Sequence, residues 1–459
     1  MSEPVPAHSL AFFRVAFGFV MFYGILRTLW LGWVERMFVE PTYFFTYYGF
    51  EWVRPLPEIA IYAVFAVMLI CSVLVMLGYH YRIAIAAFFV LFTYVELIDK
   101  TNYLNHYYLV SLVTFLMIWL PLNSSYSIDA KRKSWIAREN APRWMLAALL
   151  AQVGFVYFFG GVAKISHDWL FEAQPLRIWL AANSGLPVIG SLLNEEWVAY
   201  AFSWFAMIFD LSIALVLCFR KARPYGYAVL LMFHFLTAQF FQIGMFPYIM
   251  SIATLGFFSS EFHKAVLQRL SQFAKLFIGP IRPIGPIGPI TTAPKYLSWG
   301  IAVFFAVQAL LPFRYVLYPG NSLWTEEAYR WSWNIMLIEK AGHTEFTVVD
   351  KTTGKQWLEP VRGHLTKQQE KQMSMQPDMI LQFAKHLEDV MRERGHKDVA
   401  VYADSYVAFN GKRGRTLIDP KVDLTEQHDS FAPKSWIFPF DEAPLLNTAS
   451  NHHLLKAGL

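Results

Sequence analysis

Trp144-Met-Leu-Ala-Ala-Leu-Leu-Ala-Gln-Val-Gly-Phe-Val-Tyr-Phe-Phe-Gly-Gly-Val-Ala-Lys164 runs from Trp144 to Ala163 without a charge and then stops on a lysine. At about 1.5 Å per residue, a helix over this run crosses a hydrocarbon layer of roughly 30 Å. Other mostly apolar runs fall near 10–30, 58–79, 82–98, 104–121, 197–218, 225–241, 246–260 and 297–313, so the sequence predicts nine spans. The shortest, 225–241 and 246–260, also fit one broken or re-entrant element. Composition agrees: 459 residues that are 56% hydrophobic, 17% aromatic and 16% charged are too apolar for a soluble chain of this size. Met1 to Ser9 has no basic n-region and the run from Leu10 to Trp30 is too long for a signal peptide, which predicts a retained first helix.

Basic residues set the expected orientation. Segments around Arg82, from Lys131 to Arg143, from Arg220 to Arg223 and from Lys264 to Lys295 alternate with the acidic or near-neutral segments 31–57, 99–103, 164–196 and 242–245. The positive-inside rule then puts the N-terminus in the cytoplasm and, after nine crossings, the C-terminus on the outer face. Past Tyr315 the chain turns polar, with strand-like stretches at Phe346–Val349 and Val399–Tyr402 and a helix-like stretch near Met379–Arg394. The expected fold is therefore mainly α: a polytopic transmembrane helical bundle in residues 1–316, a small α+β outer-face domain in 317–445, and a polar tail in 446–459. Proline recurs through Ile281-Arg-Pro-Ile-Gly-Pro-Ile-Gly-Pro-Ile290, which predicts an extended cytoplasmic linker near 279–294. A net charge of +5 sits mainly in the cytoplasmic loops, where topology and anionic headgroups account for it, so nucleic acid is not an expected partner. Cys71 and Cys218 both lie in apolar runs, and the chain has no CxxC and no His/Cys cluster at zinc spacing. Neither a disulfide framework, thiol redox chemistry nor a metal is expected.

Polar residues gather at the outer ends of the spans. Lys164 closes Gly160-Gly-Val-Ala-Lys164, and Gly160 and Gly161 let another backbone come close. A lysine in an apolar pocket loses its charge more readily and serves as a base near neutral pH. Position alone also fits a lysine that snorkels to the interface. The turn Asp99-Lys-Thr-Asn-Tyr-Leu-Asn-His-Tyr-Tyr108 carries Lys100, Asn105 and His106, which suit a polar ligand or a capped helix end equally well. His234, Thr237 and Gln239 lie on a short aromatic span, followed by Gln242 and Gly244 in the outer turn. Arg14, Glu96 and Asp210 are charges within or near spans, each costly enough alone to demand a partner.

Asp99-Lys-Thr through Asn105-His106, Gly161-Val-Ala-Lys164 with Asp168-Trp169, and Gln239 through Ile243-Gly-Met-Phe246 with Tyr248 resemble the vitamin K-dependent γ-glutamyl carboxylase family and its HTTM membrane domain. Trp331-Ser-Trp-Asn-Ile-Met336, Ile418-Asp-Pro-Lys-Val-Asp423 and Ser435-Trp436 resemble the family's luminal domain, so the likeness spans roughly residues 10 to 440. The resemblance implies a lyase that deprotonates vitamin K hydroquinone, adds dioxygen, and uses the strongly basic quinone oxygen species to remove a glutamate γ-proton. Carbon dioxide then traps the carbanion and the quinone leaves as its epoxide.

By the same resemblance Lys164 is the catalytic base. Asn105, His106, His234, Gln239, Gly160, Gly161 and Met245 hold the quinol, and Trp331, Trp333 and Lys340 lie near the peptide entrance. Implied partners are the lipid bilayer, an isoprenoid quinol and a glutamate-containing peptide. The sequence departs from the family in having Val-Ala-Lys where Val-Lys-Lys is usual, tryptophan at 331 where tyrosine is usual, and no cysteine pair linking the two domains. Animal members also extend farther, through a region that binds a propeptide, so substrate recruitment is expected to differ. Quinol epoxidation without protein carboxylation, and a non-enzymatic membrane protein on the same scaffold, are the alternative readings.

Overall fold

A computed structural model describes residues 4–241, 243–278 and 295–445; the expected linker near 279–294, Gln242 and the tail 446–459 lie outside the described residues. The membrane part is built from α1 (His8–Trp30), α2 (Glu58–Leu77), α3 (Tyr81–Ile98), α4 (Asn105–Trp119), α5 (Arg143–Ala163), α6 (Glu196–Cys218), α7 (Arg223–Phe240), α8 (Phe246–Ala253), α9 (Ser260–Ile278) and α10 (Lys295–Leu310).

Among the described residues, six helical stretches are long and apolar enough to cross a membrane: α1, α2, α3, α5, α6 and Tyr296–Leu317. The other three expected spans fall short for separate reasons. Leu104 is extended, so α4 has only 15 residues. Helix α7 opens on Arg-Pro and carries His234, Thr237 and Gln239, which lower its hydropathy. Helix α8 tightens into a 3₁₀ turn at Thr254–Phe257, and a new helix, α9, begins at Ser260 in place of the expected single run to 260. Leu109, Leu230 and Met250 nevertheless bring α4, α7 and α8 into one core with Leu149 and Val153 of α5.

Arg14 illustrates how a charge inside an apolar helix is accommodated. Its guanidinium is fully buried and donates to the carbonyls of Val75 and Met76 at the end of α2, and to those of Leu122 and Tyr126. The Val75 carbonyl also accepts from the Gly78 N–H at 3.0 Å, and at this helix end the cation satisfies acceptors that lipid cannot. Gly78 makes the approach possible: it closes α2 at φ +62°, and a Cβ there would meet Arg14 Nη1 at 2.8 Å. The same end holds the short strands β1 (Pro4–Pro6) and β2 (Asn140–Pro142), paired antiparallel.

Beyond the bundle, β3 (Lys340–Asp350), β4 (Gln356–Glu359), β5 (Val399–Phe409) and β6 (Lys412–Thr416) form an antiparallel sheet in the order β4-β3-β5-β6. Alternate residues Phe346, Val348, Val401, Ala403 and Val407 face the helix Pro377–Glu393, which supplies Ile380, Phe383, Ala384 and Leu387. Phe45, from the segment after α1, is buried in this same core.

Polar contacts fix the docking. Asp378 accepts from Lys100 at 2.7 Å and from Arg330 at 2.8 Å. Gln369 donates to Asp99 at 2.8 Å and to the Tyr43 carbonyl at 2.7 Å. Lys412 reaches Asp168 at 2.7 Å, and the Trp179 indole donates to Glu339. Burial alone would raise the Asp378 carboxyl, but Arg330 and Lys100 hold it well below the usual carboxylate range.

Two consequences are measurable by thermal melting of the purified protein. Replacing Arg14 with Met strands several buried carbonyls and should cost about 2–4 kcal/mol; an unchanged melting temperature would contradict the assignment. Because the folded-state value of Asp378 is depressed, its stabilisation is complete above the unfolded value of about 3.9 and is lost as pH falls below it. Asp378→Asn should therefore melt lower at pH 7 and show a shallower loss of stability between pH 5 and 3 (about the carboxylate range) than the unaltered protein.

Candidate active site

Helix α5 ends by placing three groups on one face. Lys164, Gly160 and Tyr157 are four and seven residues apart, the spacing of successive turns. Gly161, beside them, is where α6 comes closest: a Cβ at that position would lie 2.8 Å from the Leu211 backbone nitrogen. That approach sets Asp210 of α6 against Lys164, with Nζ 2.9 Å from Oδ2.

The Lys164 ammonium is sheltered. Its side chain is 5% exposed and that of Asp210 is 9% exposed, so neither reaches bulk water. Besides the carboxylate it donates to the Gly160 carbonyl at 3.1 Å and lies 3.4 Å from the Ile335 carbonyl. The Trp169 ring, 5.2 Å away, covers another side.

Next to this pair is a cavity of about 300 Å³ lined by Tyr157, Lys164, Asp210, His234, Thr237 and Met336 among aromatic and aliphatic side chains. Tyr157 Oη and His234 Nε2 are 2.7 Å apart, whereas the buried Nδ1 of His234 has no partner among the described residues. With Tyr157 donating, the neutral imidazole carries its proton on Nδ1 and presents a donor that lacks an acceptor. Phe209 and Phe233, neighbours in sequence of Asp210 and His234, stack at 4.2 Å and lock α6 to α7.

The expected quinol-binding residues are divided. Lys164 and His234 line this cavity, whereas Gly160 and Gly161 lie behind it, against Asp210 and Leu211 of α6. His106 and Met245 line a second cavity of about 220 Å³, with Arg27, Glu96 and Asn102. Ile243 borders both, and the Phe246 ring lies 6.0 Å from the His106 ring and 6.2 Å from that of His234. Asn105 instead bridges Tyr103 at 3.1 Å and the Asn334 carbonyl at 3.2 Å. Gln239 is exposed, since five residues carry it about 140° around the helix from His234; Thr237 takes the inward position.

The expected peptide-entrance residues also separate. Trp333 is fully buried against Tyr108 in the bundle core, and its indole nitrogen has no partner among the described residues. Trp331 stacks on Tyr47 at 5.5 Å, and its backbone N–H meets Tyr103 Oη at 2.8 Å. Lys340 is buried and paired with Glu326 at 2.7 Å, in a polar pocket shared with Lys100 and Arg330.

Trp331, Trp333 and Met336 all have φ near +60° (61°, 57° and 57°), a conformation that costs non-glycine residues energy and is held only by the surrounding contacts. This tight path pushes Ile335 and Met336 into the cavity wall. Tyr157 could have been found from its seven-residue spacing to Lys164. The Lys164–Asp210 pairing and the inward reach of Ile335 had no sequence signal of their own.

The group His167, Asp168 and Glu172 has cation-ligand spacing among the described residues, but Lys412 already sits 2.7 Å from Asp168 and 3.6 Å from Glu172.

Comparison with known proteins bears on this arrangement. Residues 2–262, more than half of the chain, match the HTTM domain family, and residues 294–443 match the family described as vitamin K-dependent gamma-carboxylase, lumenal domain. No solved structure matches the chain. The two regions meet at the cavity, the first supplying Tyr157, Lys164, Asp210 and His234 and the second Ile335 and Met336. The chain belongs to the vitamin K-dependent gamma-carboxylase family, with an HTTM membrane domain followed by the family's lumenal domain.

Proposed function

We propose that the protein oxidises a vitamin K hydroquinone at Lys164 and couples that oxidation to carboxylation of peptide glutamate. The single observation that carries the reading is the buried lysine–carboxylate pair opening on an apolar cavity of about 300 Å³. Volume and lining suit an aromatic head group, and the partnerless His234 Nδ1 offers a hydrogen bond to an oxygen on it. When bound, reduced vitamin K would supply, by oxidation with dioxygen to its epoxide, the base that removes the glutamate γ-proton for capture by carbon dioxide.

The chain's own part is positioning and proton handling. Lys164 Nζ takes a proton from a hydroxyl set against it, a task suited to an amine because phenolic hydroxyls are weak acids with values near about 10. To do so it must first be neutral. Asp210 Oδ2, 2.9 Å away, is the group placed to take the proton that Lys164 gives up. Tyr157 fixes the His234 ring, and the aromatic walls keep water from the site. The basic loops are assigned to the cytoplasm and the lumenal domain to the outer face, where a peptide would arrive.

Two experiments test this. Purified protein supplied with reduced vitamin K, oxygen, labelled bicarbonate and a glutamate peptide should form epoxide and labelled peptide together, and Lys164→Ala should lower both by roughly 10²-fold or more. Untouched quinol with the unaltered protein would sink the reading; epoxide without label would leave quinol oxidation alone. In thermal melts, Lys164→Met or Asp210→Met alone should cost about 3–5 kcal/mol by stranding a buried charge, whereas the double replacement should cost far less. Additive losses would show that the two groups do not depend on each other.

A further inference from the structure

A third cavity lies on the far side of α5, between that helix and α6 near the end that holds β1 and β2. It encloses about 710 Å³ and shares no lining residue with the Lys164 cavity. Arg143 and Arg223 stand at one end of it, and Phe158 marks the other limit along α5. From Arg143 to Phe158 the helix rises about 22 Å, more than half the thickness of a hydrocarbon layer.

Its floor is cleared by small side chains. Ala147, Ala151 and Gly154 of α5 face Ala214 of α6, and a Cβ on Gly154 would sit 3.5 Å from that of Ala214. Arg223 is held in place, donating to the Leu217 carbonyl at 2.7 Å and the Cys218 carbonyl at 3.3 Å. Those bonds offset the negative helix end while leaving a planar cation at the mouth of the slot. Arg220 and Lys221, exposed on the same turn, add to the positive charge there.

We propose that this slot binds an anionic phospholipid from the leaflet beside the basic loops, with an acyl chain along the Ala147–Gly154 face and the phosphate at Arg223. Charge complementarity decides the occupant. Guanidinium groups match phosphate oxygens, basic pockets between helices on this side of a membrane suit anionic headgroups, and an uncharged isoprenoid would use the apolar floor without the cations.

The test uses the full-length protein in detergent, titrated with phosphatidylglycerol and phosphatidylcholine of identical acyl chains and read by native mass spectrometry. Phosphatidylglycerol should bind roughly tenfold more tightly than phosphatidylcholine. Arg223→Gln should abolish that preference, and Ala151→Phe, which fills the floor, should weaken phosphatidylglycerol roughly tenfold. Equal binding of the two lipids, undiminished binding by Ala151→Phe, or displacement by an uncharged isoprenoid alcohol would each overturn the proposal. Should Arg223→Gln fail to fold, Ala151→Phe and Ala147→Phe decide the matter together with the lipid comparison on the unaltered protein.

Discussion

The contact between Lys164 and Asp210 organises this molecule. Two opposite charges at 2.9 Å, each almost shut off from water, survive in an apolar bundle only because every donor on the ammonium has a destination. Their proximity demands the bare face of Gly161 so that α6 can approach, the stacked Phe209 and Phe233 to keep α6 and α7 in register, and the Trp169 ring as a cover.

The lumenal domain completes the same site. Its Ile335 carbonyl approaches the Lys164 ammonium, so the membrane domain alone would leave one side of that group open. What holds Ile335 there is distant: Asp378 between Lys100 and Arg330, Gln369 on Asp99, and Phe45 buried in the lumenal core. The strained turns at Trp331, Trp333 and Met336 are kept by that docking together with the insertion of Trp333 into the bundle. Docking and site geometry are thus one mechanical problem, in which the outer contacts set the depth to which Ile335 and Met336 reach.

Much of the architecture was legible because lipid imposes a simple rule: long apolar runs become helices. The runs containing Trp144–Ala163 and Glu196–Cys218 follow it directly. The rule weakened at α4 and α8, which are shorter than their apolar runs suggested, and at α7, where polar side chains lower the hydropathy. In the lumenal domain, alternation found the strand cores at Phe346 and Val399 but not their full lengths. At the site, Lys164 and His234 were visible because such residues are rare in spans. The pairing was not: Asp210 stood out as a charge that needs a partner, but it lies dozens of residues from Lys164, and only the packing of α5 on α6 brings them together. Gln239 and Asn105 show the converse, polar residues near the right depth whose side chains face elsewhere or bridge backbone.

The proposed chemistry requires a quinol head group beside Lys164 in the first cavity. Photocrosslinking with a light-activated naphthoquinol analogue, followed by peptide mapping, tests this most directly. Labels are expected on the segments containing Tyr157, His234 and Ile335–Met336, reduced by excess vitamin K hydroquinone. Labelling confined to the segments around Arg27, Glu96 and His106, or to the slot at Arg143 and Arg223, would contradict it.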